Sequence, residues 1–490
     1  MIFLAAYPQS FSSSHQGSTP LGDLCTQLPS IVPPSVGLHL LPFYPSEGDW
    51  GFAPNDWFSV LPTYGTWDDI RSIALQRKVI VDGIYNHVGL GHPFAASFFS
   101  DPHHNNDAVY GFQVDSELSC PRSPRGGPVL RSFHIEEKRW QVWQTFSESA
   151  IDIRLDNPRV LEHIHRHLEL LVGHNIWGLR LDAPAYYAKF IDQPHRHNPD
   201  AYRLSRMIAD IALARGLAVT AQLDCDEHGV KYFPRSDYSA PIVDYAYSAY
   251  LVLALLTAET SSFAEHLENT WHLPSVVVRA PRTHDGILLR SKLLSDRAKK
   301  SLLEAVAGHG VDVRVIDNDA YEVNSSLPYL CSLGTDIAGM RARIELCVAV
   351  SAFIPGWCCL YLPFVMGDLP EYRAFGQSDP RSLNRQPILD TARSEYVESG
   401  AMSSMYKLLE SLNRVRGYFN GVDALTGDFV EVPAPGLLLI SRPHARLMLV
   451  ANFDTSRAVS VERIVKGDLV VGRRAQGAEV LPLGFGIWRY

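Results

Sequence analysis

The chain has 490 residues, 46% of them hydrophobic and 10% aromatic, enough for two or three folded domains with a sizeable core. A net charge of −9, not gathered into blocks, argues against nucleic acid and anionic membrane as partners. No segment reaches the length of a membrane span, and the seven cysteines show neither metal nor disulfide spacing.

The first apolar run, "IFLAAYP" (2–8), is too short for a signal peptide and has no positive flank. It reads as an ordered first strand, and the expected compartment is the cytoplasm. Further strand-like runs follow at 36–42, 78–87, 176–183, 217–223, 242–248, 275–285 and 357–363. Amphipathic segments such as "PRVLEHIHRHLELLVGH" (158–174) and "DAYRLSRMIADIALARG" (200–216) lie between many of them. Continuous apolar strands alternating with helices indicate a parallel sheet covered on both faces. Eight of them suit a (β/α)8 TIM barrel, an α/β fold, better than an open sheet. No glycine-rich dinucleotide fingerprint follows the first strand.

Two stretches break the rhythm. Residues 88–160, rich in His, Gly, Pro and Arg, are too long for a loop and read as an inserted domain after strand three. From about residue 417 short strands and turn residues predict a C-terminal antiparallel β domain over 417–490. The catalytic barrel is then assigned to 1–87 and 161–416.

In such a barrel the site forms at the C-terminal ends of the strands. Strand three ends in Asp82, Asn86 and His87. Strand four ends in "GLRLDA", with Arg180 and Asp182 two apart and on one face. Strand five ends at Gln222, and strand seven in "THDG", with His284 and Asp285. Each residue alone has an ordinary structural use as a cap, a turn residue or half of an ion pair. Their joint order, each on its own strand, points to a site.

"DGIYNH", "GLRLDA" and "THDG" resemble three of the four hallmark regions of the α-amylase superfamily, glycoside hydrolase family thirteen. The resemblance extends over nearly the whole chain. Within that superfamily the chain is most similar to the sucrose phosphorylase-like subfamily, through "GLHLLPFYPSEGDWGFAP" (37–54), "YGTWDDIRSIA", "THDGI", "YEVNSSL" and "RSLNRQ" (381–386).

The resemblance implies a retaining mechanism, with Asp182 as nucleophile, Arg180 orienting it and Asp285 as the third carboxylate. It implies that His87 and His284 hydrogen-bond glucosyl hydroxyls, and that Asp49 and Arg385 close the far end of a one-glucose pocket. Tyr44 and Phe52 are either a platform for the sugar ring or core. Gln222 falls where the family has its acid/base glutamate, and an amide cannot donate that proton. Asp224, Asp226 and Glu227 do not obviously replace it. The simplest account is an engineered Glu→Gln change that inactivates an otherwise intact site. A naturally inactive sugar-binding homologue is the other.

The expected reaction is hydrolysis of a small α-glucoside such as glucosylglycerol or sucrose, with phosphorolysis as the alternative. For phosphate, Arg122, Arg125 and Arg131 are candidate contacts or else surface arginines. Against it, the phosphorylases' "RDINRH" is here "RSLNRQ", with Ser382 and Gln386 in place of charged or ionisable types. No cofactor is needed, and "DPHHNND" (101–107) lacks metal-ligand spacing.

Overall fold

The computed structural model describes residues 1–490 except 12–16, 117, 119–122, 125–126, 192–197, 234–240, 272, 274–276, 291, 318–319, 370–379, 420–426 and 466. Eight parallel strands close into a barrel. They are β1 (Ile2–Ala6), β2 (Gly37–Leu40), β3 (Val79–Gly83), β4 (Gly178–Leu181), β5 (Ala218–Asp224), β6 (Ile242–Val243), β7 (Val277–Arg279) and β8 (Trp357–Tyr361). Strand β1 closes the ring by pairing with β2 on one side and β8 on the other.

Each strand falls within the run expected for it, apart from one residue at the end of β5, yet several are shorter. The run 242–248 yields only two strand residues, because the Asp244 side chain accepts from Tyr247 N and caps a helix over Tyr245–Thr257. The run 78–87 divides likewise: His87–Gly89 leaves the barrel to pair with Ala150–Asp152.

That pair opens the excursion between β3 and β4, which also holds an antiparallel sheet of Gly111–Gln113, Lys138–Trp143 and Leu130–Ile135. The helix Pro158–Gly173, capped by Asn157, follows, so the expected break at 160/161 falls within its first turn. Another sheet, which the sequence reading did not foresee, lies between β7 and β8. Its strands Ile287–Leu289 and Asp312–Asp317 flank Ala320–Asn324.

After the helix Ala401–Gly417, an antiparallel sheet is built from β9 (Phe429–Glu431), β10 (Leu437–Arg442), β11 (Leu447–Asn452), β12 (Val459–Ser460), β13 (Asp468–Gln476) and β14 (Glu479–Arg489). Alternation divides its side chains between two layers. Leu438 and Ile440 join the main core, whereas Leu437, Leu439 and Trp488 form a separate cluster on the other face. The helix Ile337–Phe353 packs against this sheet and against β8, which explains why it is apolar nearly all round. Among the described residues no helix is long and apolar enough to cross a membrane.

Candidate active site

The loops beyond the carboxyl ends of the strands enclose a cavity of about 160 Å³. Seven of the eight residues singled out as catalytic or binding line it: Asp49, His87, Asp182, Gln222, His284, Asp285 and Arg385. Arg180 lies just beneath, inside the barrel. Its guanidinium contacts Asp82 and donates to Asp182 Oδ1 at 3.1 Å, while Asp82 Oδ2 meets His39 Nε2 at 3.0 Å. Burial alone would raise the Asp82 pKa, but Arg180 and His39 hold it down at about 2.

Asp182 responds differently to the same arginine. Burial pushes its carboxyl up, Arg180 only partly offsets this, and the charges of Asp82 and Asp285 add to the rise, which reaches about 7. A carboxylate so poised needs little to be driven either way. The residue after it, Ala183, is in the left-handed region (φ 48°) and turns the chain sharply at the strand end. Its N–H donates to Gln222 Oε1 at 3.0 Å, and the Tyr245 hydroxyl is a further partner of Gln222.

At the far end Arg385 donates to Asp285 Oδ1 at 3.0 Å and to Asp49 Oδ1 at 3.2 Å. Phe52 stacks on the His284 ring with centroids 5.1 Å apart, and the Arg385 guanidinium lies over the Phe52 ring at 5.7 Å. Burial lowers the pKa of His284 to about 3 and also lowers that of His87, so both rings are neutral at pH 7. His87 Nε2 donates to the Phe52 carbonyl at 2.7 Å, and its Nδ1 accepts from Asn86 Nδ2 at 3.1 Å. Both ring nitrogens therefore have protein partners, and a sugar hydroxyl would have to compete with the Phe52 carbonyl for His87.

A buried lysine ties the excursion to the barrel. Lys189 Nζ meets Asp152 Oδ2 at 2.9 Å and donates to Asn86 Oδ1 at 2.6 Å. Asp152 Oδ2 also accepts from Asn86 Nδ2 at 2.9 Å and from Thr145 Oγ1 at 2.6 Å. This network fixes Asn86 and, through it, the His87 ring.

Other sequence candidates lie apart. Tyr44 is core: its hydroxyl meets His167 Nε2 at 3.0 Å, while Phe52 lines the cavity. Arg131 pairs with Glu148 in a half-exposed position; Arg122 and Arg125 lie outside the described residues. Neither Ser382 nor Gln386 lines the cavity, and Gln386 Nε2 donates to the Ser382 carbonyl. Asp226 caps the helix Glu227–Tyr232 through Gly229 N at 2.9 Å, but Asp224 stays at the cavity. His104 pairs with Asp101 and His103 with Lys138; among the described residues no cluster of His, Cys, Asp and Glu is placed to hold a metal.

The sequence reading missed Tyr202, Tyr245, Leu288, Arg290 and Glu322, all of which line the cavity. Three of these belong to the unforeseen sheet or its edge. The residues "YEVNSSL" marked that segment without revealing that Glu322 turns inward.

Residues 6–219 match the family model "Alpha amylase, catalytic domain". Barrel, strand-end carboxylates and this match together make the chain similar to the alpha-amylase catalytic domain over that stretch, a little under half of its length. Proteins similar to it include phosphorylases. A glucosylglycerate phosphorylase of Spirochaeta thermophila is 27% identical over 60% of this chain, which spans about half of that relative (52%). A sucrose phosphorylase of Streptococcus mutans is 24% identical, over 89% of this chain and 92% of its own. A glucosylglycerol phosphorylase of Marinobacter adhaerens is also 24% identical, with 86% and 88% covered. The crystal structure of a sucrose 6F-phosphate phosphorylase from Thermoanaerobacter thermosaccharolyticum shares the fold, with a TM-score of 0.78 at 20% identity over 92% and 94% of the two chains.

Proposed function

We propose that this chain takes the glucosyl unit of a small α-glucoside, sucrose- or glucosylglycerol-like, and transfers it through a covalent ester on Asp182 with retention of configuration. The carrying observation is the row Asp182–Arg180 beside Asp285–Arg385–Asp49 around one small cavity. Arg180 directs the Asp182 carboxylate, and Asp285 stands where it can stabilise charge developing at the sugar. The Asp49–Arg385 ion pair at one end of the cavity supports binding of a terminal glucosyl unit rather than the middle of a polymer.

Water or a hydroxyl is the favoured acceptor. The described residues give the cavity two further carboxylates, Asp224 and Glu322, against one further cation, Arg290. That charge pattern opposes entry of a phosphate dianion. The names of the relatives favour the second reading, phosphate as acceptor. Gln222 cannot exchange a proton with the leaving oxygen, a loss of about a hundred- to ten-thousand-fold unless another carboxylate acts in its place. On the inactivated-variant reading no other does.

α-D-Glucosyl fluoride tests the nucleophile, because fluoride leaves without a proton. Mass spectrometry of peptic fragments should find the glucosyl adduct on the peptide spanning 178–189. An adduct elsewhere, with Asp182 unmodified, sinks the assignment. Products formed with and without phosphate then separate glucose from glucose 1-phosphate.

A further inference from the structure

Glu322 lies in the central strand of the sheet inserted between β7 and β8, and it lines the cavity together with Asp182, Gln222 and Asp285. It is only 1% exposed. Its direction is fixed by pairing: Leu288 stands opposite Glu322 on the neighbouring strand, and both face the cavity. Its path runs over Gly286, the residue after Asp285. A Cβ at position 286 would collide with Glu322 Cγ, so the glycine of the "THDG" turn is what admits this carboxylate beside Asp285.

We infer that Glu322 is a further catalytic residue, the acid/base that moves the proton Gln222 cannot. The inference rests on the reading of Asp182 as nucleophile. In the first step, protonated Glu322 gives its proton to the glycosidic oxygen as the bond from that oxygen to C1 breaks and an Asp182 oxygen bonds C1. In the second step, the Glu322 carboxylate takes the proton of water or an acceptor hydroxyl, whose oxygen bonds C1. The ester bond breaks with its electron pair returning to Asp182, and Glu322 ends protonated, as it began.

Asp224 is the competing carboxylate. It stands two residues beyond Gln222, roughly 7 Å further along the strand. Its side chain is also one carbon shorter than that of Glu322. The inserted sheet brings the longer side chain over Gly286, the residue after Asp285, and into the same cavity.

α-D-Glucosyl fluoride isolates the role, because its first step needs no acid whereas release of the glucosyl unit to water needs a base. The native chain is expected to release fluoride continuously. Glu322→Gln should release one equivalent and stall, at least a hundred-fold slower, with the adduct held on Asp182. Azide, which has no proton to lose, should restart that variant and give glucosyl azide; a purely structural role for Glu322 predicts no such rescue. Gly286→Ala keeps every carboxylate but displaces Glu322, and should stall in the same way, which covers the case in which Glu322→Gln fails to fold. Native-rate turnover by Glu322→Gln overturns the inference, as does a native chain that itself stalls after one equivalent. Stalling by Asp224→Asn with Glu322→Gln unaffected moves the role to β5. No fluoride release or adduct from the native chain defeats the reading of Asp182 itself, and this inference with it.

Discussion

The backbone N–H of Ala183 donates to Gln222 Oε1 at 3.0 Å, so the residue that follows Asp182 is tied to the side chain in the expected acid/base place. A glutamate there would keep the same acceptor atom. Gln222→Glu is therefore expected to fold as the native chain does, with a thermal midpoint within a few degrees. Placed in the Glu322→Gln background, it should restore fluoride turnover without azide, because a base then stands at the end of β5. A double variant that folds and still stalls would show that position 222 cannot reach the acceptor.

Asp182 should give a distinct pH signature. Its folded pKa of about 7 lies above the 3.8 of an unperturbed aspartate. The folded state thus holds a proton that the unfolded chain releases, and stability falls as pH rises from near 4 to near 7. Asp182→Asn has no such proton to lose. The variant should gain thermal stability over the native chain progressively through that window and hold its lead above pH 7, by a few kcal/mol at most by order of magnitude. On the proposed role of Asp182 as nucleophile, adduct formation in the native chain should rise with pH across the same upper range, since only its carboxylate can attack. Melting curves at pH 4, 6 and 8 check the first point; a difference independent of pH would refute it.

The eight strands were legible because their apolar runs are continuous, and the strand-end residues because each run stops at a polar side chain. Asp182, Gln222 and Asp285 do reach one cavity. What stayed hidden follows from local chemistry that outweighs pattern. Asp244 turns the sixth run into a helix after two strand residues, and Tyr44 bonds His167 in the core. The strands "ILL" and "AYEVN" are too short to stand out, so neither the inserted sheet nor the inward aim of Glu322 was visible. The histidine of "DGIYNH" lines the cavity as well, and its ring nitrogens are engaged by Phe52 and Asn86, partners that the sequence did not disclose.

Arg385 bridges two carboxylates, Asp285 and Asp49, and removing it leaves them repelling each other at the cavity. Arg385→Met deletes two charge-assisted hydrogen bonds, each contributing roughly 1.5–3 kcal/mol. With α-D-glucosyl fluoride, kcat/KM is expected to fall by about a hundred-fold, mainly through KM as the glucosyl-binding end loosens. Unchanged KM would mean that this pair does not border the glucosyl unit.

Lys189 offers the sharpest test of how the excursion is held to the barrel. Its ammonium, buried with Asp152 and Asn86, links the two and lowers the cost of burying the Asp152 charge. Burial pulls the lysine pKa down while Asp152 opposes the fall. Lys189→Met would strand Asp152 without its counter-charge, and breaking a buried pair from one side costs about 3–5 kcal/mol. The thermal midpoint should drop by several degrees, and Lys189→Met/Asp152→Asn should recover part of the loss, because the uncompensated charge is gone. Asn86 loses one anchor in both variants, so the His87 ring should loosen and adduct formation on Asp182 should slow even in the double variant. If the double variant is no more stable than the single one, the charge pair is not what holds these segments together.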